Sequence, residues 1–138
     1  MTFATTPQGS DHTAGLTIRD KINHLDPAGQ VELSRKKQIA MAGYDSLGAC
    51  IMAGFGFAIA PPETIRDLIN ARYGWEVDTS ILSDLGKQTI KMEVEFNRKA
   101  GFTSADDRLP EWMTREPLPP HNAVFDVPGE ELDKVFEW

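Results

Sequence analysis

The chain has 138 residues, 41% hydrophobic and 25% charged, the balance of a globular protein long enough for one domain with a real core. Its formal net charge of -7 excludes the basic footprint that non-specific nucleic-acid binding requires. A single cysteine, Cys50, excludes an internal disulfide and fits a reducing compartment, expected to be the cytoplasm.

Residues 1–15 open with neither a basic n-region nor an apolar run, so they are not a secretory signal. They read as a polar, irregular loop, and so well specified an aperiodic opening implies that something packs on it. Residues 16–101 are expected to form a helical core. Asp26-Pro27-Ala28-Gly29 marks a turn. A helix then starts near Val31 and runs through Gly54, with Ile39, Ala42, Leu47, Ile51 and Met52 as its apolar face. Gly43 and Gly48 weaken its middle, and a break or bend is expected there. The longest apolar stretch, residues 49–60, contains Gly54 and Gly56. It is shorter than the roughly 20 residues of a membrane span and is expected to be buried core.

Pro61-Pro62 ends that segment, and Pro62 suits the first turn of the next helix. Ile65, Leu68, Ile69 and Tyr73 form the apolar stripe of that helix, with Gly74 as its C-cap. Asp78, Thr79 or Ser80 can cap the following helix. This is the clearest in the chain: Leu82, Leu85, Thr89, Met92 and Phe96 form one stripe, Ile81 lies beside it, and Gly101 ends it. Residues 102–138 change character, and five of the nine prolines fall within residues 102–129. Phe102, Leu109, Trp112, Met113, Leu118, Val124 and Phe125 give this segment more apolar anchors than disordered chain carries. It is therefore expected to wrap the core in extended form and to finish in a short helix over residues 129–136. No stretch alternates like a strand. The expected fold class is all-α: one irregular helical domain with an extended, proline-rich C-terminal wrap.

Two local constellations bear chemistry. Asp45-Ser46-Leu47-Gly48-Ala49-Cys50 places a carboxylate five residues before a thiol. On an unbroken helix the two would point about 140° apart, at 100° per residue. A break at Gly48 lets both face one site, and glycine admits a ligand close to the backbone. The same residues also suit a buried helix with a small-residue contact and an inert core cysteine. Gly9-Ser10-Asp11-His12 sets an Asp beside a His in a glycine-containing loop, which suits proton transfer or hydrogen bonding and equally a solvated turn. His24, near the Asp26-Pro27 turn, and His121, in the proline-rich tail, read as structural. There is no phosphate-binding loop, dinucleotide fingerprint or zinc-ligand spacing. A thiolate-held iron–sulfur cluster needs four cysteines, and this chain has one.

Four stretches, in order along almost the whole chain, together resemble the C-terminal region of the aldehyde ferredoxin oxidoreductase family. They are Thr6-Pro7-Gln8-Gly9-Ser10-Asp11-His12-Thr13-Ala14-Gly15; the Asp45 to Cys50 hexapeptide, similar to the family's Asp-x-x-Gly-Leu-Cys with Ala49 in place of Leu; Leu85-Gly86-Lys87 followed by Glu95-Phe96-Asn97-Arg98-Lys99-Ala100-Gly101-Phe102; and Asp106-Asp107-Arg108-Leu109-Pro110 with Glu116-Pro117-Leu118-Pro119. The resemblance implies an enzyme that oxidises aldehydes or interconverts related carboxylic acids and passes electrons to ferredoxin. It implies a tungsten- or molybdenum-pterin cofactor beside a four-iron four-sulfur cluster. It implies that Cys50 is the C-terminal cluster ligand, that Asp45 with Leu47 and Gly48 binds one pterin, and that His12 sits near the metal for proton transfer or carbonyl polarisation.

Family enzymes carry an N-terminal portion that cradles the pterins and supplies the other three thiolates. Met1 lies where such proteins are mid-sequence, so the chain is expected to be a truncated piece, a split gene product or a remnant. The isolated chain is expected to bind no metal or cofactor, to be inactive alone and to self-associate through the surface that the missing portion covers. The alternatives are a free-standing helical binding module that kept the fold without the chemistry, or an assembly protein that pairs with a full-length relative.

Overall fold

The structure is a computed structural model that describes all 138 residues. Its helices are α1 (Thr2–Thr5), α2 (Gln30–Ser46), α3 (Ile51–Phe57), α4 (Glu63–Tyr73), α5 (Ile81–Lys99), α6 (Trp112–Arg115) and α7 (Gly129–Asp133), with 3-10 turns at Thr13–Gly15 and Ser104–Asp106. There is no strand; an isolated antiparallel bridge joins Leu118 and Ala123. The fold is all-α, as the absence of alternation implied. No single helix is long and apolar enough to cross a membrane.

The core is the crossing of α2 and α5. Two glycines set how closely the helices approach. A Cβ on Gly86 would sit 1.9 Å from the Ile39 carbonyl oxygen, and one on Gly43 would sit 2.4 Å from the Leu82 carbonyl oxygen. Only glycine admits such contact between backbones. Gly43 therefore does not break α2; it seats α2 on its partner. Ile90, 2% exposed, and Ala42 are buried in these two helices, and the Ser46 and Thr89 hydroxyls bond at 2.8 Å.

This crossing corrects the expected stripe on α5. The buried face runs through Gly86 and Ile90, with Leu82 packed on Gly43, whereas Met92 and Phe96 are exposed. The point of closest backbone approach, not the bulkiest side chains, orients the helix. The apolar face of α2 needs a similar correction. Its buried residues are Ser34, Gln38, Ala42, Gly43 and Tyr44, while Leu47 and Met52 are exposed.

Ser34 and Gln38 are buried because the polar N-terminal segment packs on them. The Thr2 hydroxyl donates to the Gly15 carbonyl (3.0 Å) and bonds Ser34 Oγ (3.1 Å), and Gln38 Nε2 donates to Thr5 Oγ1 (3.0 Å). Residues 1–15 thus hold a short helix and a 3-10 turn, with Thr2, Ala4, Thr5, Thr6, Ala14 and Gly15 buried.

Residues 49–60 are not the buried core their composition suggested. Within α3 only Gly54 is buried, against the Tyr44 ring, and Phe57 stacks on that ring with centroids 6.1 Å apart. Met52 and Ile59 face solvent, Ile59 at 90% exposure. On α4, Ile69 is buried but Leu68 and Tyr73 are exposed. Gly74 ends α4 in a left-handed conformation as expected; Ser80 occupies the N-cap position of α5 but makes no side-chain capping bond, its hydroxyl going to Asp84 while its N–H donates to Asp78.

The tail is ordered, but its expected anchors are not what close it. Phe102, Trp112 and Leu118 are exposed, and Leu109, Met113, Val124 and Phe125 are half-buried. The closure comes from the end of the chain. Leu132 and Val135 are buried, Arg108 pairs with Asp133 at 2.6 Å, and Arg35 donates to the Glu137 carbonyl at 3.2 Å. The last helix is shorter than expected, Gly129–Asp133.

Burial in this fold is sparse: 17 of 138 residues. The chain exposes 9142 Å², whereas a compact monomer of its 15.3 kDa mass exposes about 7,100 Å². Exposed apolar side chains occur along the whole chain, among them Met52 on α3, Leu68 and Tyr73 on α4, and Met92 and Phe96 on the outer face of α5.

Candidate functional site

The Asp45 to Cys50 hexapeptide is a helix stop followed by a helix start. At the end of α2 the Gly48 N–H donates to the Asp45 carbonyl and the Ala49 N–H to the Tyr44 carbonyl, each at 2.9 Å. Gly48 has φ 69°. This is the paired closure that glycine makes possible at a helix C-terminus. A side chain on Gly48 would meet nothing within 4 Å, so the backbone here is bare to an approaching ligand. Cys50 then takes an extended conformation and caps α3, its Sγ accepting from the Met52 N–H at 3.4 Å. The two helices are bent by 112°.

The break falls at Gly48, where it was expected. It places Asp45 in the last turn of α2 and Cys50 at the N-cap of α3, with Leu47 at the corner, and all three are exposed. An inert core cysteine is ruled out by that exposure.

Asp45 breaks a local rule. It lies in the C-terminal turn of α2, where the helix dipole disfavours negative charge, and that turn has no basic residue. Although exposed overall, Asp45 lines a small cavity between α2, α5 and the N-terminal segment. Burial pushes this carboxyl above the usual aspartate range, and the charge of Asp11 pushes it further. Asp11 itself is held low by the Thr13 hydroxyl (2.5 Å) and the Thr13 N–H (2.9 Å). His12 follows it, exposed, with Nδ1 3.8 Å from Asp11 Oδ1 and its ring stacked on Phe3 at 6.3 Å. The fold therefore brings the Asp11-His12 turn into the electrostatic neighbourhood of Asp45. His24 and His121 stand exposed.

Two residues of this site escaped the sequence reading. Glu93, on α5, lines the same cavity and is pushed up by burial and then by Asp45. Gln38 is 2% exposed, and its Oε1 has no hydrogen-bond partner. A signal for Gln38 did exist, since it precedes Asp45 by seven residues, two helical turns, and so shares its face. Asp45, Glu93 and Gln38 present acceptor oxygens, and no lysine or arginine lines the cavity. Such a lining calls for a hydrogen-bond donor. Cys50 stands without companions: no group of three or more His, Cys, Asp or Glu side chains is placed to hold a metal ion.

Residues 1–137 match the family model described as aldehyde ferredoxin oxidoreductase, domains 2 and 3. The chain belongs to the aldehyde ferredoxin oxidoreductase family. It is similar to the tungsten-containing aldehyde ferredoxin oxidoreductase of Pyrococcus furiosus, 38% identical over 126 residues, covering 85% of this chain and 20% of that protein. The proteins of the same description from Thermococcus kodakarensis and Pyrococcus horikoshii are 29% and 33% identical over 126 residues, again covering 85% of this chain and 20% of each. The chain thus spans about a fifth of the length of the curated relatives it matches. No solved structure matches it. The matched region is domain-sized within a larger aldehyde ferredoxin oxidoreductase, which accords with the sparse core and the excess exposed area.

Proposed function

We propose that this chain supplies one edge of the active site of an aldehyde ferredoxin oxidoreductase-type enzyme and works only with the rest of that site. The observation that carries the reading is the bend at Gly48, which exposes a carboxylate and a thiol on either side of a bare stretch of backbone. Asp45 accepts hydrogen bonds from the amino and ring N–H groups of a pterin. Gly48 admits the ring close to the main chain, and Leu47 flanks it at the corner. Cys50 ligates a four-iron four-sulfur cluster, whose other three thiolates come from an N-terminal portion of the same enzyme type. His12 holds or delivers a proton at the edge of the site. When bound, the tungsten- or molybdenum-pterin and the cluster supply the oxidation of aldehyde to carboxylate and the transfer of electrons to ferredoxin. The exposed free thiol suits a cytoplasmic, reducing setting.

The surface argues for this reading over a free-standing helical module. Ile59, Trp75, Met92 and Phe96 stand open to water, as side chains covered by a further part of the enzyme would in this chain alone. Anaerobic purification tests the reading. Purified alone, the chain should hold no stoichiometric tungsten, molybdenum or iron; stoichiometric metal in the chain alone would sink the partial-site idea. Co-expressed with the N-terminal portion, it should show a reduced-cluster EPR signal that Cys50→Ala weakens or alters, and an unchanged signal removes Cys50 as a ligand.

A further inference from the structure

Gln38 poses a problem in hydrogen bonding. Its Nε2 is held by Thr5 Oγ1 at 3.0 Å and Ser34 Oγ at 3.1 Å, so its orientation is set from one side. Its Oε1 has no partner, and Gln38 lines a cavity of about 10 Å³ with Thr6, Asp45 and Glu93. A space of that size takes one water at most, so no pterin ring enters it. An unpartnered buried carbonyl is costly and calls for a donor. The only titratable groups lining the cavity are the two carboxyls.

We propose that Glu93 and Gln38 form a proton-holding support for Asp45: as pH falls the Glu93 carboxyl takes up a proton before Asp45 does, donates it toward Gln38 Oε1 directly or through one water, and leaves Asp45 as the ionised acceptor that faces the ligand. The charges around Glu93 are all of one sign or absent. Asp45 faces it from α2, and Asp11 acts on Asp45 from the N-terminal segment. Its neighbours one turn away on α5, Thr89, Ile90, Phe96 and Asn97, are uncharged. The groove on its outer side is lined by Pro7, Gln8, Met92, Phe96 and Asn97, with no cation. The imidazole of His12 lies against Asp11. Two carboxylates sharing a small space without a cation do not both ionise readily. Glu93 is the half-buried member and Asp45 the exposed one, so the proton goes to Glu93. Burial and the charge of Asp45 push Glu93 in that same direction.

The consequence concerns the edge offered to the ligand. A proton on Asp45 would replace an acceptor by a donor and spoil its match to N–H groups. Glu93 is thus a positioning residue that acts through Asp45. Its importance for the enzyme rests on the pterin reading; its protonation does not.

The test is a carboxyl-detected NMR titration of the 138-residue chain with labelled Asp and Glu. Glu93 should titrate above the usual glutamate range. Asp45→Asn should move its midpoint down, whereas Glu93→Gln should leave the Asp45 midpoint nearly where it was, because Glu93 is already neutral when Asp45 titrates. A Glu93 midpoint in the ordinary range, or one indifferent to Asp45→Asn, would overturn the proposal. Saturable shifts of both resonances on adding magnesium or potassium would also overturn it, by making the pocket a cation site.

Stability provides a second readout. A carboxyl whose folded pKa is raised stabilises fully below its unfolded pKa, and that contribution is lost as pH rises through the folded value. Glu93→Gln keeps the shape and a donor, so it should fold, and its Tm should fall less than that of the parent between pH 5 and pH 8. An equal fall in both would count against a protonated Glu93. Because these measurements use the chain alone, their failure leaves the cofactor reading standing, and failure of the metal tests leaves this one standing.

Discussion

The α2–α5 crossing and the α3–α4 limb invert each other. The crossing buries glycine, serine and glutamine, while the limb leaves Met52, Ile59, Leu68 and Tyr73 in water. Hydrophobicity alone would have placed them the other way round. What decides burial is whether a partner surface exists within the chain. Gly43 and Gly86 let two helices touch backbone to backbone, and the N-terminal segment supplies hydroxyls that satisfy Ser34 and Gln38 Nε2. The limb has no such partner in these 138 residues, and its apolar faces fit a larger assembly of the kind its relatives form as single long chains.

The contrast can be broken most sharply at Gly86. Gly86→Ala drives a methyl into the Ile39 carbonyl and should destabilise the chain by about 3 kcal/mol, the upper part of the usual overpacking range, read from urea unfolding followed by circular dichroism. Ile59→Ser on the limb should change the same measurement by less than about 0.5 kcal/mol. Comparable losses at the two positions would erase the distinction between crossing and limb. Gly48→Ala comes next. Its side chain meets open space, so the cost is that of the left-handed backbone alone, about 1–2 kcal/mol, and a loss matching that of Gly86→Ala would point to contacts that the geometry at Gly48 lacks.

Self-association gives a gentler probe. Sedimentation of the isolated chain should show concentration-dependent oligomers that the pair Ile59→Ser and Phe96→Ser reduces without a change in fold. Strictly monomeric behaviour of the parent at high concentration would contradict the reading of the limb as an uncovered interface. The smallest effect is expected at Asp11. Its folded pKa is lowered, chiefly by the Thr13 hydroxyl, so its contribution is present above the unfolded value and lost as pH falls through the folded one. Asp11→Asn should flatten only the acid end of the stability profile, and an effect at pH 7 to 8 instead would reverse that sign.

The helical class, the stop at Gly48, the cap at Gly74 and the ordered tail were legible in the residues because each depends on local rules: helical period, left-handed glycine, proline punctuation. The face that α5 buries was not, because Gly86 adds nothing to a hydrophobic stripe and matters only once α2 lies across it. The tail closure through Leu132 and Val135 was not legible for a related reason: seven upstream residues are as apolar, and only packing against the rest of the chain selects between them. In the site, Asp45, Leu47, Gly48 and Cys50 stood out as a motif. Glu93 and Gln38 did not, because they join Asp45 only through packing between helices.

The central claim, that this chain is one part of a larger metal-dependent aldehyde-oxidising enzyme, is tested most directly by anaerobic co-purification from the native cell followed by metal analysis. The expected result is elution well above 15.3 kDa in a complex that carries tungsten or molybdenum together with iron, and that loses iron when Cys50 is replaced by alanine. Elution alone as a metal-free monomer would contradict the claim.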